Sequence, residues 1–168
     1  MAPSAEHVER FPRPPRTVTD DENRTVTIEA YTDSPDPLVA MYADFDDDSR
    51  SQGVPPRSES EIRKWIENLL ADGHNVVVWH DGEAVGHAVL VPVGDESELA
   101  IFVHPAYQSA GIGTELIRTL FGHGQATDLD HVWLAVAHTN RVAMKLYDKV
   151  GFETRRRDRA EHEMERPL

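Results

Sequence analysis

Cysteine is missing from all 168 residues, so the chain has no disulfide framework, no thiolate metal site and no cysteine nucleophile. Lysine is scarce: only Lys64, Lys145 and Lys149 supply it, and the other cations are arginines. No apolar run reaches the ~18 residues of a membrane-spanning helix. Met1 to Arg16 also lacks the apolar stretch of a signal peptide. These absences lead us to expect a soluble, cytoplasmic protein. Positive charge is short as well, with 17 Lys and Arg against 30 Asp and Glu and a formal net charge of -13. That balance argues against nucleic acid or an anionic membrane as a partner through a basic face. The nine histidines are scattered without H-x-x-x-H spacing, so no metal site is expected.

What the chain does contain is organised around Val103 to Leu116, V-H-P-A-Y-Q-S-A-G-I-G-T-E-L. The preceding S-E-L-A-I-F-V ends in apolar, strand-favouring residues, and Pro105 closes the strand because it donates no ladder hydrogen bond. Ile112, Leu116, Ile117, Leu120 and Phe121 then recur at helical spacing. Gly111 and Gly113 open that helix, where a side chain would obstruct close approach to the backbone. A helix start offers unpaired N–H groups and the positive end of the macrodipole, so the stretch is suited to phosphate or diphosphate. It is not a P-loop, since the Lys of G-x-x-x-x-G-K-[ST] is absent. Nor is it a dinucleotide fingerprint, because Leu116 stands where the third glycine belongs.

The chain is long enough for one domain with a substantial core. Residues 1–23, with Pro3, Pro12, Pro14 and Pro15 among charges, read as a mobile or irregular arm, and 24–168 as the domain. Arg24–Thr32 alternates as a first strand, and Leu38–Phe45 reads as a short helix after the Ser34–Pro37 cluster. Asp44 to Asp48 reads as an acidic, solvated surface loop. Ser58 or Ser60 caps a helix striped by Ile62, Trp65, Ile66, Leu69 and Leu70 and ended by Gly73, with Glu61 the reciprocal partner in a capping box that begins at Ser58. Strands follow at Asn75–His80 and Ala84–Val93 around the hairpin signal Asp81-Gly82, then at Glu96–Val103 after Gly94-Asp95. The Gly111 helix is expected to stop near Gly122-His123-Gly124. His131–Ala137 reads as a strand and Asn140–Lys149 as a helix with Val142, Ala143, Leu146 and Val150 facing the core. Two charged strands, Phe152–Arg157 and Ala160–Glu165, close the chain.

A second motif lies in A-H-T-N-R-V-A-M-K-L-Y-D-K-V-G-F. Asn140 begins a helix, and Tyr147 stands two turns along the same face before the Gly151-Phe152 break. Strand end, proline, aromatic, Q-x-x-G-x-G, and then asparagine, tyrosine and G-F agree in order and spacing with the GCN5-related N-acetyltransferase (GNAT) superfamily, which this sequence resembles. The element order resembles that family's too, which implies an α/β GNAT fold, a mixed central sheet with helices on both faces.

The resemblance implies acetyl-CoA as co-substrate and transfer of its acetyl group to a primary amine on a small molecule or protein. By position, Ile101, Phe102 and Val103 would offer backbone groups to the pantetheine arm. Gln108, Ser109, Ala110, Gly111, Ile112, Gly113 and Thr114 would cradle the diphosphate, with Asn140 near the thioester. Ser109 and Ala110 stand where relatives often carry Arg or Lys, so the cradle rests on backbone groups. Tyr147 is the implied general acid. Some relatives place a glutamate where Ala135 stands here, and Glu98, ahead of Glu96 and His138, is the substitute base. The resemblance also allows a homodimer through the last strands, or a module that binds acyl-CoA without catalysis. A phosphate-binding turn in an unrelated α/β protein is the third reading. The acidic, lysine-poor composition resembles that of proteins from salt-accumulating halophiles, such as halophilic archaea.

Overall fold

The computed structural model describes residues 9–46, 55–158 and 161–168. Eight strands form one sheet: β1 (Arg16–Thr19), β2 (Thr25–Ala30), β3 (His74–His80), β4 (Glu83–Val93), β5 (Glu96–Val103), β6 (His131–Ala137), β7 (Glu153–Arg157) and β8 (Glu161–Pro167). Four helices accompany them: α1 (Asp36–Ala43), α2 (Glu59–Asp72), α3 (Ile112–Ala126) and α4 (Arg141–Lys149). The order across the sheet is β1-β2-β3-β4-β5-β6-β8-β7, and among the described residues only β5 and β6 pair in parallel. None of the helices among the described residues is long and apolar enough to cross a membrane.

Alternation along the strands divides the core between the faces. Val76, Val78, Leu99, Val132 and Leu134 point to one face and pack with Leu116, Ile117, Leu120 and Phe121 of α3. Val77 and Phe102 point to the other face, against Leu38 and Tyr42 of α1 and Ile62 and Ile66 of α2. Helices therefore cover both faces of a mixed sheet, as the resemblance implies. Ser58 caps α2 by accepting from the Glu61 backbone N–H at 3.2 Å. Asp81 and Gly82, at φ 51° and 81°, make the two-residue turn that the Asp-Gly pair specifies.

Three sequence expectations are corrected. The segment through Asn23 is not an irregular arm throughout: Arg16–Thr19 is β1, in antiparallel register with β2. Phe11, 6% exposed, also packs edge-on to Phe121. Proline-rich composition hid a strand whose partner lies only a turn away. Next, α3 does not stop at Gly122-His123-Gly124 but runs on to Ala126. Those glycines serve close packing: a Cβ on Gly122 would stand 2.0 Å from the Pro12 carbonyl oxygen, and one on Gly124 2.8 Å from Leu168. Finally, Val142 does not face the core; it is 80% exposed. Of the acidic stretch Asp44–Asp48, Asp47 and Asp48 lie outside the described residues.

Candidate active site

The site originates where two parallel strands part. β5 and β6 are in register only at Ser97–Val132 and Glu98–Trp133, and beyond that point they diverge. His104 N–H donates to the Val85 carbonyl at 2.9 Å, so the alternate residues of β5 in phase with it bond to β4. The intervening residues, Ile101 and Val103, turn their backbone groups toward the side that β6 has left. Gln108 Nε2 donates to the Val103 carbonyl at 3.0 Å, which leaves the N–H groups of Ile101 and Val103 facing the gap.

A cleft of about 430 Å³ occupies this gap, lined from β5 by Ile101 and Val103, from the glycine-rich loop by Gln108, Ser109 and Gly113, and from α4 by Asn140 and Tyr147. Tyr107, Val142, Ala143 and Leu146 complete its wall. The two sequence motifs, about thirty residues apart, thus meet across one space. Phe102 is not part of it: its ring packs edge-on to Tyr42 and Trp65 on the opposite face, at 5.4 Å in each case. Its backbone is in the phase that bonds β4, so the expectation that it serves the cleft is corrected.

The loop is shaped by backbone geometry. Pro105–Tyr107 forms a single 3-10 turn, and His104 Nδ1 accepts the Ala106 N–H at 3.0 Å. Because that nitrogen accepts, Nε2 carries the proton and donates to Asp44 Oδ2 at 3.0 Å, tying the end of α1 to the end of β5. Gly111 caps α3 at φ 84°, a left-handed conformation that favours glycine. Ala110 and Ile112 are buried, so they can offer a ligand only their backbone. Ala110, Gly111, Ile112 and Thr114 line an adjoining cavity of about 220 Å³, shared with Asp20, Asp21, Glu115 and Lys149.

On α4, Asn140 Oδ1 accepts the Ala143 N–H at 3.2 Å, a helix cap that leaves its amide N–H groups for the cleft. Burial pushes the Tyr147 hydroxyl up to about 12, so it keeps its proton throughout the neutral range. Glu98 sits elsewhere: it is absent from the cleft lining and is in phase with Phe102, on the α1–α2 face. Its side chain is exposed. Partial burial, and then the neighbouring charge of Glu161, raise its carboxyl above the ordinary range. Glu96 is committed to an ion-pair network. Ligand atoms of Glu96, His131 and Glu165 lie within 4.8 Å of one another, but Arg155 Nη1 stands 2.7 Å from Glu96 and 2.9 Å from Glu165. The guanidinium takes the place a metal ion would need.

The lining residues that sequence reading missed are Tyr107, Val142, Ala143 and Leu146. Val142 had a signal: it follows the cap Asn140 by two residues, at the open end of the helix.

The sequence profile of the acetyltransferase (GNAT) family matches residues 38–152, well over half of the chain. Among curated relatives, a [ribosomal protein bS18]-alanine N-acetyltransferase from Haemophilus ducreyi is 36% identical over 88 residues, covering 52% of this chain and 61% of that protein. A mycothiol acetyltransferase from Nocardia farcinica is 37% identical over 111 residues, covering 64% of this chain and 34% of that one. The chain therefore spans less than two thirds of either relative. Among solved structures, the GNAT domain of S. lividans PAT superposes with a TM-score of 0.80 at 18% identity, covering 92% of this chain and 97% of that one. A phosphinothricin acetyltransferase from Sinorhizobium meliloti, solved with acetyl-CoA, gives a TM-score of 0.70 at 19% identity over 85% of this chain and 88% of its own. Profile, relatives and fold agree, and the chain belongs to the acetyltransferase (GNAT) family.

Proposed function

We propose that the protein is an N-acetyltransferase that takes its acetyl group from acetyl-CoA and delivers it to a primary amine. The observation that carries this reading is the divergence of β5 from β6 after Glu98 and Trp133, which opens a cleft walled by both motifs. The chemistry of the wall fits the co-substrate. The free N–H groups of Ile101 and Val103 suit an extended, amide-bearing arm laid along β5 like an added strand. The glycine-rich turn at the start of α3 suits a diphosphate, through backbone N–H groups from Gln108 to Thr114. Bound there, the thioester supplies an electrophilic carbonyl.

The residues of the chain then divide the work. Asn140 donates amide N–H bonds near the thioester while its oxygen stays in the helix cap. The attacking amine must be neutral, yet an alkylammonium has a pKa of about 10.4, so a base has to take its proton. Glu98, with its raised carboxyl, is our candidate, reached from the α1–α2 face. As the C–N bond forms and the C–S bond breaks, the departing sulfur takes a proton from the Tyr147 hydroxyl, which would otherwise leave a thiolate in a poorly solvated wall. The bacterial relatives acetylate different acceptors by their names, and we infer only an amine for this chain.

One observation favours a second reading, a module that binds acyl-CoA without turnover: among the described residues, no carboxylate lines the cleft. Titration with acetyl-CoA, followed by a free-thiol assay over a panel of small amines and N-terminal peptides, separates the two. Turnover on any amine supports the enzyme, binding without turnover supports the module, and absence of binding removes both.

A further inference from the structure

The turn between β1 and β2 precedes the segment matched by the family profile, yet it touches the glycine-rich loop at both ends. At one end, Arg24 Nη1 donates to the Ala106 carbonyl at 3.2 Å, and its guanidinium carbon lies 4.1 Å from the centre of the Tyr107 ring. At the other, Asp21 N–H donates to the Ala110 carbonyl at 2.9 Å. The Asp20 carboxylate, its side chain 0% exposed, organises the turn. It accepts from the backbone N–H groups of Glu22 and Arg24 at 2.9 Å each, and from Arg24 Nε at 2.7 Å. Arg24 is thereby aimed at the loop. Asp21 adds a charge: its Oδ2 lies 3.2 Å from where a Cβ on Gly111 would stand, beside the first N–H groups of α3. Asp21 makes no ion pair among the described residues, and although Lys149 lines the same cavity, the span from Gln108 to Thr114 holds no cation to offset the charge.

We propose that this turn is a working part of the cofactor site: Arg24, held by Asp20, positions the loop that cradles the diphosphate, and Asp21 sets how strongly that cradle holds an anion. The proposal rests on the acyl-CoA reading above. A backbone cradle binds only when its N–H groups converge, and the contacts at Ala106 and Ala110 fix the span between them. The Asp21 carboxylate gains from the positive end of α3 while the site is empty, and it repels a diphosphate that enters. Salt screens that repulsion, so affinity for the anion should rise with ionic strength, opposite to a site built on lysines.

The test uses the full chain, with calorimetric titration of CoA and of pantetheine, which lacks the diphosphate, and with acetyl-CoA kinetics. Asp21→Asn should tighten CoA on the order of threefold to tenfold at low salt, lose most of that gain in molar KCl, and leave pantetheine unchanged. Arg24→Ala should raise the KM for acetyl-CoA about tenfold with kcat held within about twofold. Arg24→Lys should remain impaired, because it restores the charge without the fork and the stacking. CoA affinity unchanged or weakened in Asp21→Asn overturns the charge role, and a fall in kcat at constant KM in Arg24→Ala overturns the positioning role. Should Arg24→Ala fail to fold, Arg24→Lys reads the positioning role, and a wild-type KM for acetyl-CoA in that variant overturns it. If the wild-type chain binds CoA while every variant behaves like it, only this proposal falls; if the wild type binds no CoA, the acyl-CoA reading falls with it.

Discussion

Tyr42 of α1 and His87 of β4 meet at 2.7 Å between hydroxyl and Nδ1, both fully enclosed. The protons can be assigned. Asn75 Nδ2 donates to the Leu69 and Gly73 carbonyls at 2.9 and 3.2 Å, which turns its Oδ1 toward His87 Nε2 at 2.8 Å. Nε2 therefore donates to Asn75, and the bare Nδ1 accepts from Tyr42. The chain of bonds ties α1, the end of α2, β3 and β4 together beneath the aromatic cluster that backs Phe102.

Acid should weaken the fold through this histidine. Burial lowers its pKa from 6.5 to about 3, so the folded state refuses a proton that the unfolded chain accepts. The stability from the neutral ring is present above pH ~6.5 and is lost as pH falls toward ~3, at up to about 1.4 kcal/mol per pH unit. Denaturant titrations at pH 7, 6, 5 and 4.5 should show this slope, and His87→Gln should flatten it. Equal slopes in the two proteins would show that other groups carry the acid sensitivity.

Removing the Tyr147 hydroxyl isolates its proton. Tyr147→Phe keeps the ring that packs at 5.7 Å against Phe152. Turnover should fall on the order of 10²-fold, with CoA binding and melting temperature nearly unchanged. A variant that retains more than about half of wild-type turnover, with chemistry shown to be rate-limiting, would rule out the general-acid role.

Glu98 makes a pH-dependent prediction. Glu98→Ala should cut turnover at neutral pH by about 10- to 100-fold and recover toward the wild-type rate near the acceptor's own pKa of ~10, where the amine is already neutral. Because the charge of Glu161 contributes to the raised carboxyl of Glu98, Glu161→Gln should move the acid limb of the pH–rate profile to lower pH. Rates unaltered in Glu98→Ala at both pH values would place the base elsewhere.

Salt should stabilise the whole chain. A formal net charge of -13 creates self-repulsion that counter-ions screen. The melting temperature should therefore climb as KCl rises toward molar concentrations. A flat or falling midpoint in graded KCl would count against adaptation to a saline interior.

The elements nearest the site were legible because their signals are local. Glu96–Val103 and His131–Ala137 have the bounds their composition predicts, since strand-favouring residues stop at Pro105 and at the Asn140 cap. Gly111 is required by a left-handed backbone at the start of α3, and Asp81-Gly82 by a two-residue turn. These depend on dihedral angles and on hydrogen bonds a few residues apart, so the chain carries them in plain order. Other features depend on which distant groups come to lie together. Gly122 and Gly124 look like a helix stop in sequence, yet they sit inside α3 because Pro12 and Leu168 press against them. Val142 fits a core stripe by spacing, yet the parting of β5 from β6 leaves it no sheet to cover and makes it a wall of the cleft. Phe102 stands between two cleft residues in sequence, and the alternation of a strand sends it to the opposite face. The sequence by itself determined the motifs, their order and the local turns that shape them. Only the tertiary structure decided that β6 leaves β5 after two registered pairs of residues, and that the β1–β2 turn braces the loop, because both rest on contacts between segments whose sequences carry no mark of each other.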